Sequence, residues 1–305
     1  MNLVDEIRNL FAGADKNKGV MLENFNVKYP AWVVKRENWY GIAIPNKYNK
    51  KINERFSNVK IKNLNLIIGK EEKDLLLLTS NIDYLRNEFA TICAEFVELG
   101  ENGEQREKLM KDPIKWWDSW KTLLGNAIQN KKPYSVLGEM LILLYLVKNK
   151  KKPKWAAVGK ATHDVEIKDY SYEVKSTTKR YESVITISSQ NQMIKPQKDL
   201  YLCFCRFEKS KNGYSIEDIA KILEKFGYSY YKANLGIEKM GFEKGMSVRD
   251  EKYKIHEIRK YKVDNNFPKI TKESFDSGKL PDGIVKINYD IDLNGLKYET
   301  IELDL

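Results

Sequence analysis

An α/β core behind a β-rich N-terminal domain is the architecture this sequence predicts, and three observations carry it. Short runs of β-branched, leucine-rich and aromatic residues recur up to Thr79, at 31–36, 39–44, 59–68 and 75–79. The segment 134–147 is apolar nearly all round, the mark of a buried helix. Strand-like pieces around His163 and Glu173 come next, then a buried strand at 200–207 and a helix ending near Phe226. The expected division gives residues 1–110 to the β-rich domain and 111–305 to the α/β core with its C-terminal elaborations.

The elements follow in order. Residues 2–11 form a short amphipathic helix, and Glu37-Asn38 turns the chain between the first two strands. Over 84–99, Leu85, Phe89, Ile92, Cys93 and Phe96 recur on one helical face, and Gly100 to Gly103 stops that helix. Pro113 opens a second helix whose Trp116, Trp117 and Trp120 are expected to pack on the α/β core. Beyond the centre of the chain, Ser215 is an N-cap, and 253–263 and 284–292 are further strands.

With 305 residues the chain can bury ample core in one large or two modest domains. It carries 53 basic against 43 acidic residues, a net charge of +10 that favours a polyanionic partner. Cys93, Cys203 and Cys205 lie in apolar surroundings without ligand spacing, which reads as reduced core thiols and argues against zinc. No segment approaches a membrane span and the N-terminus lacks a signal-peptide pattern, so a cytoplasmic location is expected. There is no Gly-rich phosphate loop or ATPase signature, so nucleotide-driven movement would come from a partner.

The chemistry concentrates between Tyr134 and Gln192. Side chains alternate across a strand, so Glu173 and Lys175 share one face. A four-residue loop at 167–170 would set Asp164 opposite Glu173, and a two-residue loop at Asp169-Tyr170 would set it opposite Lys175. Either even connection gathers Asp164, Glu173 and Lys175; an odd one scatters them. Two carboxylates on neighbouring strands suit a hard cation with oxygen ligands. A lysine beside them can orient or deprotonate a nucleophile, or stabilise developing negative charge. Glu139 interrupts the apolar helix, and a buried carboxylate needs a partner or stays neutral; a metal site would supply that partner. His163 reads as a hydrogen-bonding or packing residue more than a catalytic one.

Five ordered elements here resemble the PD-(D/E)XK, or restriction-endonuclease-like, nuclease superfamily: Gly138-Glu139, His163-Asp164, Glu173 to Thr177, Ile187 to Gln192, and Leu280-Pro281-Asp282-Gly283-Ile284. The narrower likeness is to a bacterial branch associated with restriction-modification and phage-defence genes. The resemblance implies a core with a mixed central sheet flanked by helices, and Mg²⁺ as cofactor with Mn²⁺ able to substitute. It implies Asp164 and Glu173 as metal ligands, Glu139 supporting the metal or holding the site together, and Lys175 as the catalytic lysine. Gln192 or Gln190 would lie near the scissile phosphate. The superfamily's usual proline before the first acid is His163 here, and strand geometry does not require the proline.

Lys151 and Lys152 before the hairpin, Lys179 and Arg180 after it, and Gln190 are the candidates for DNA contact. The expected function is Mg²⁺-dependent endonucleolytic cleavage of DNA within a bacterial restriction or phage-defence system. A helicase-like ATPase and a methyltransferase of the same system are the expected partners, and the chain is compatible with a homodimer. The N-terminal domain would serve DNA contact, recognition or partner docking. Two alternatives stand beside this. One is a non-catalytic nuclease-fold subunit that binds DNA or scaffolds a complex, against which the intact triad argues. The other is a structure-specific repair nuclease sharing the same site.

Overall fold

The computed structural model describes residues 2–15, 18–23, 25, 27–123, 132–159, 163–194, 198–275 and 278–305. The chain divides into two compact units, Met1–Asn130 with Gly245–Ser247, and Lys131–Lys244 with Val248–Leu305.

The first unit opens with helix α1 (Leu3–Gly13), capped by the Asn2 side chain, which accepts the Asp5 N–H at 2.8 Å. Strands β1 (Gly19–Met21), β2 (Trp32–Lys35), β3 (Tyr40–Pro45), β4 (Asn53–Phe56), β5 (Val59–Ile68) and β6 (Glu71–Ser80) follow. They make one antiparallel sheet in the order β1-β2-β3-β6-β5-β4. Val33, Ile42, Leu78 and Ile61 lie abreast in register on one face. Helix α1 and helix α2 (Arg86–Val97) cover that row with Ile7, Phe11, Phe89 and Cys93. Trp32, Ala43 and Leu77 form the matching row on the other face, beside Val34, Leu66 and Leu75. Strand β6 is therefore buried on both sides, which is why Leu75 to Leu78 is a continuous apolar run.

Helices α3 (Glu104–Lys111) and α4 (Pro113–Leu123) complete this unit. The tryptophan-rich α4 belongs here, against the expectation that it packs on the α/β core. Trp117 is buried in the first unit's core, and Trp116 meets Phe96 edge-on at 5.2 Å. The first unit thus runs past residue 110. Helical spacing of apolar residues tells that a face is buried, and not against what.

The second unit begins with α5 (Pro133–Lys148), which carries proline in its first turn. Then come β7 (Lys154–Trp155), β8 (Val165–Glu166), β9 (Tyr170–Thr177), β10 (Val184–Ile187) and β11 (Asp199–Tyr214). Helices α6 (Ile216–Lys225) and α7 (Tyr230–Lys239) precede β12 (Tyr253–Lys262), β13 (Tyr289–Asp292) and β14 (Glu299–Thr300). The main sheet runs β14-β12-β11-β9-β8-β7, with β9 and β11 parallel and the other pairs antiparallel. It is the expected mixed sheet.

Alternation along β11 separates two layers. Cys203 and Cys205 face the helices, among Leu137, Leu141 and Ile219. Leu200, Leu202 and Phe204 face the other way, onto Ile185, Ile187 and Ile291 of an antiparallel β10·β13 ribbon. Ser215 caps α6 in a reciprocal box with Asp218. Helix α7 is an addition that the apolar pattern does not announce. The expected strand over 284–292 is shortened to β13, because pairing begins only where Tyr289 meets Ile187. No helix among the described residues is long and apolar enough to cross a membrane.

Candidate active site

Strands β8 and β9 pair Val165 with Tyr172 and Glu166 with Ser171. One further step sets Asp164 opposite Glu173, and the Ile167 N–H donates to the Tyr170 carbonyl at 2.9 Å across the connecting loop. Of the two even connections, the four-residue loop is the one formed. Asp164 sits just before β8, half-buried, and its Oδ2 accepts the Val174 N–H at 2.8 Å. The backbone of the opposite strand thereby fixes the carboxylate.

Glu173 is 4% exposed, and Lys175 Nζ lies 3.1 Å from its Oε1. Burial pushes the Glu173 carboxyl up to about 8, and the Asp164 charge adds to this. The Lys175 charge and hydrogen bond act against the rise, and Glu139 reinforces it more weakly. Lys175 Nζ also donates to Gln192 Oε1 at 3.2 Å, and the same oxygen accepts the Ser188 N–H at 2.9 Å. Gln192 thus holds the lysine through a short turn after β10, Gln190–Met193, capped by Ser189. The side chain of Gln190 lies outside the described residues.

His163 is 2% exposed, and its Nε2 stands 3.2 Å from the Gln192 carbonyl oxygen. Burial pushes the imidazole pKa down, so the ring is neutral near pH 7 and Nε2–H donates to that carbonyl. Its Nδ1 has no partner among the described residues. The histidine in the place of the usual proline therefore ties the first acid's segment to the glutamine turn.

Glu139 belongs to α5. Gly138 brings α5 hard against the sheet: a Cβ there would lie 2.2 Å from Ser176 Oγ and 3.4 Å from Val174 Cγ1. Tyr172, Val174 and Ser176 thus face the helix, while Glu173 and Lys175 take the opposite face of β9. Glu139, 3% exposed, accepts the Trp155 indole N–H on Oε2 at 2.8 Å. The structure does not bring it into a common ligand cluster with Asp164 and Glu173; it contributes charge from behind the sheet. Trp155 is one residue that sequence reasoning missed, and a single tryptophan ending the lysine run was its signal.

The basic candidates separate into two groups. Lys154 pairs with Glu166, and Glu166 with Ser171, so Lys151 and Lys152 lie beyond the β7 end of the hairpin. Lys179 and Arg180 leave β9 beyond Thr177, so roughly 20 Å of strand separates the two pairs, with Glu173 and Lys175 between them. They can meet a stretch of backbone and cannot clasp one phosphate. Lys179 pairs with Glu182 at 2.7 Å, and the Arg180 guanidinium lies 5.6 Å from the Tyr181 ring centre. Arg206, also missed, anchors this loop from beneath: it donates to the Lys179 and Glu182 carbonyls and to Ser183 Oγ, and pairs with Glu257 at 2.6 Å. A lone arginine within the apolar strand Phe204-Cys205-Arg206-Phe207 was the available clue.

Among the described residues no three His, Cys, Asp or Glu side chains form a ready metal cage. The donor set nevertheless fits a hard divalent cation: Asp164 and Glu173 repel one another in a poorly solvated place, and Mg²⁺ needs only one or two carboxylates while keeping its waters.

A mixed sheet backed by a helix, with an acid opposed to a Glu-x-Lys strand, has the order of elements of a PD-(D/E)XK protein. A family model described as "Putative PD-(D/E)XK family member, (DUF4420)" matches residues 20–294, and the chain belongs to that family. The match spans both units, which makes the first unit part of the family's architecture. No curated protein and no solved structure matches the chain.

Proposed function

We propose that the protein is a Mg²⁺-dependent DNA endonuclease of a bacterial restriction or phage-defence system, acting in the cytoplasm. The observation that carries this reading is the opposition of Asp164 and Glu173 with Lys175 Nζ 3.1 Å from Glu173 on the same strand face. Asp164 and Glu173 would hold the cation, which when bound lowers the pKa of its water and offsets charge on the phosphate oxygens. Mn²⁺ would substitute. Lys175, oriented by Glu173 and Gln192, would align the attacking water and meet the developing negative charge. Gln192 acts through Lys175 and is a positioning residue. Glu139 steadies α5 through Trp155 and biases Glu173 electrostatically. Lys151 and Lys152 on one side, and Lys179 and Arg180 on the other, would follow the DNA backbone away from the cut. A helicase-like ATPase and a methyltransferase of the same system are the proposed partners.

Incubation of the purified protein with plasmid and Mg²⁺ or Mn²⁺ tests the reading. Cleavage that disappears in Asp164→Ala supports it. Undiminished cutting by that variant places the activity elsewhere, and DNA binding without any cutting favours the non-catalytic subunit.

A further inference from the structure

Lys175 has two holds, and they differ in permanence. Its side chain is 17% exposed, with Nζ 3.1 Å from Glu173 Oε1 and 3.2 Å from Gln192 Oε1. An ammonium has three N–H donors, and these contacts direct two of them. When Glu173 serves a cation, its charge is shared and the ammonium is repelled. The Gln192 oxygen is neutral and keeps its hold in either case. Where Lys175 stands during the reaction therefore depends on where the glutamine turn stands.

That turn is fixed on three sides. The Gln192 N–H donates to the Ser189 carbonyl at 3.0 Å, its Oε1 accepts the Ser188 N–H at 2.9 Å, and its carbonyl oxygen stands 3.2 Å from His163 Nε2. A carbonyl only accepts, so Nε2 carries the proton and donates. The first two bonds close the turn on itself. The histidine bond reaches 29 residues back along the chain, to the neighbour of Asp164, whose Oδ2 is fixed by the Val174 N–H at 2.8 Å. The buried His163 ring is thus a rigid strut between the segment of the first acid and the residue that holds the lysine. Its backbone is pinned as well: the His163 N–H donates to Glu166 Oε1 at 3.4 Å, and the other oxygen of Glu166 pairs with Lys198 at 3.2 Å.

We infer that His163 is a positioning residue for Lys175: through the Gln192 carbonyl it sets the distance between the lysine ammonium and the Asp164 carboxylate. The role needs no contact with substrate and no proton transfer. It rests on the nuclease reading for its consequence in rate, and on the hydrogen bonds alone for the placement of the lysine. Two substitutions separate the ring nitrogens. In His163→Gln the amide nitrogen reaches the place of Nε2 and can donate to the Gln192 carbonyl, whereas in His163→Asn the shorter amide stops at the place of Nδ1.

The first measurement needs no catalysis. Each metal-free full chain, held below its melting transition, is treated with an acetylating reagent, and the labelling rate of each lysine is read by mass spectrometry. Lys175 should label several-fold faster in His163→Asn and at the wild-type rate in His163→Gln. Lys260, 16% exposed in the same sheet, should label alike in all three proteins. Unchanged Lys175 labelling in His163→Asn overturns the inference, as does a rise shared with Lys260 or with His163→Gln. The second measurement is cleavage in Mg²⁺. In His163→Asn kcat should fall about 10–10²-fold with KM unchanged, as for a misplaced group that acts in the transition state. In a Gln192→Ala background the same substitution should cost nothing further, because its path to Lys175 is already cut. Full additivity, or a wild-type rate, overturns the inference. The nuclease reading fails separately: if even the wild type never cuts, the catalytic assignment falls, and the labelling rates still decide what holds Lys175.

Discussion

The two units bury acids in opposite ways. In the first, Glu6 and Glu54 are each 4% exposed, and each turns a carboxylate oxygen to a backbone donor: the Glu23 N–H at 2.7 Å and the Ser247 N–H at 2.5 Å. Those carboxylates satisfy the chain's own hydrogen-bonding groups, and their role is complete within the fold. In the second unit Glu173 is just as buried, yet it faces Asp164, and Lys175 offsets the repulsion. A natural fold keeps such an arrangement where function requires it. Burial of an acid is thus uninformative by itself, and the identity of its neighbour separates structure from chemistry.

The largest effect expected from breaking this contrast is on rate. Lys175→Ala should lower metal-dependent cleavage by about 10²–10⁴-fold, the range for losing a positioned acid–base or charge-stabilising group. Plasmid nicking at saturating Mg²⁺ measures it, and cutting within a few-fold of wild type would remove Lys175 from the chemistry.

Next in size is the pH dependence of stability in the metal-free protein. An unfolded glutamate loses its proton near pH 4.3, whereas folded Glu173 keeps it up to about 8. Between those values the native state binds more protons than the unfolded state, so Glu173 makes stability fall as pH rises. Glu173→Gln should flatten this slope, melting higher than wild type near pH 8 and equal to it near pH 4. Mn²⁺ should raise the wild-type melting temperature more at pH 8 than at pH 6, because it binds the ionised carboxylate. A wild-type slope that survives in the glutamine variant contradicts the assignment.

In the first unit the sign reverses. Glu54→Ala removes the acceptor of the Ser247 N–H and should destabilise by about 1–3 kcal/mol in a urea titration. A more stable alanine variant would erase the difference between the units.

The smallest effect belongs to Trp155→Phe, which keeps most of the ring and loses one hydrogen bond to Glu139. A loss of about 1 kcal/mol is expected. Cleavage should fall only modestly, since Glu139 lies behind the sheet and off the reacting face. A collapse of activity with full stability would instead make Glu139 a direct participant.

Period and alternation are local properties, and what depends on them could be read from the chain alone. The sharing of one face by Glu173 and Lys175, an even loop that gathers Asp164 with them, four of the six strands of the first sheet and the Ser215 cap all follow from residues close in sequence, whereas β1, β4 and the choice between the two even loops do not. What depended on non-neighbouring segments waited for tertiary structure. The Trp116 helix could bury its face against either unit. Residues 284–288 have strand-like composition but find no strand to pair with among the described residues. Glu139 needed a partner, and the packing of β7 beside α5 brought the Trp155 indole N–H to it. The lysines seemed adjacent to the hairpin in sequence, yet sheet order sends them past opposite ends of β9. Propensity decides how a segment is shaped, whereas sheet order and the closeness of Gly138 to Ser176 decide which side chains meet.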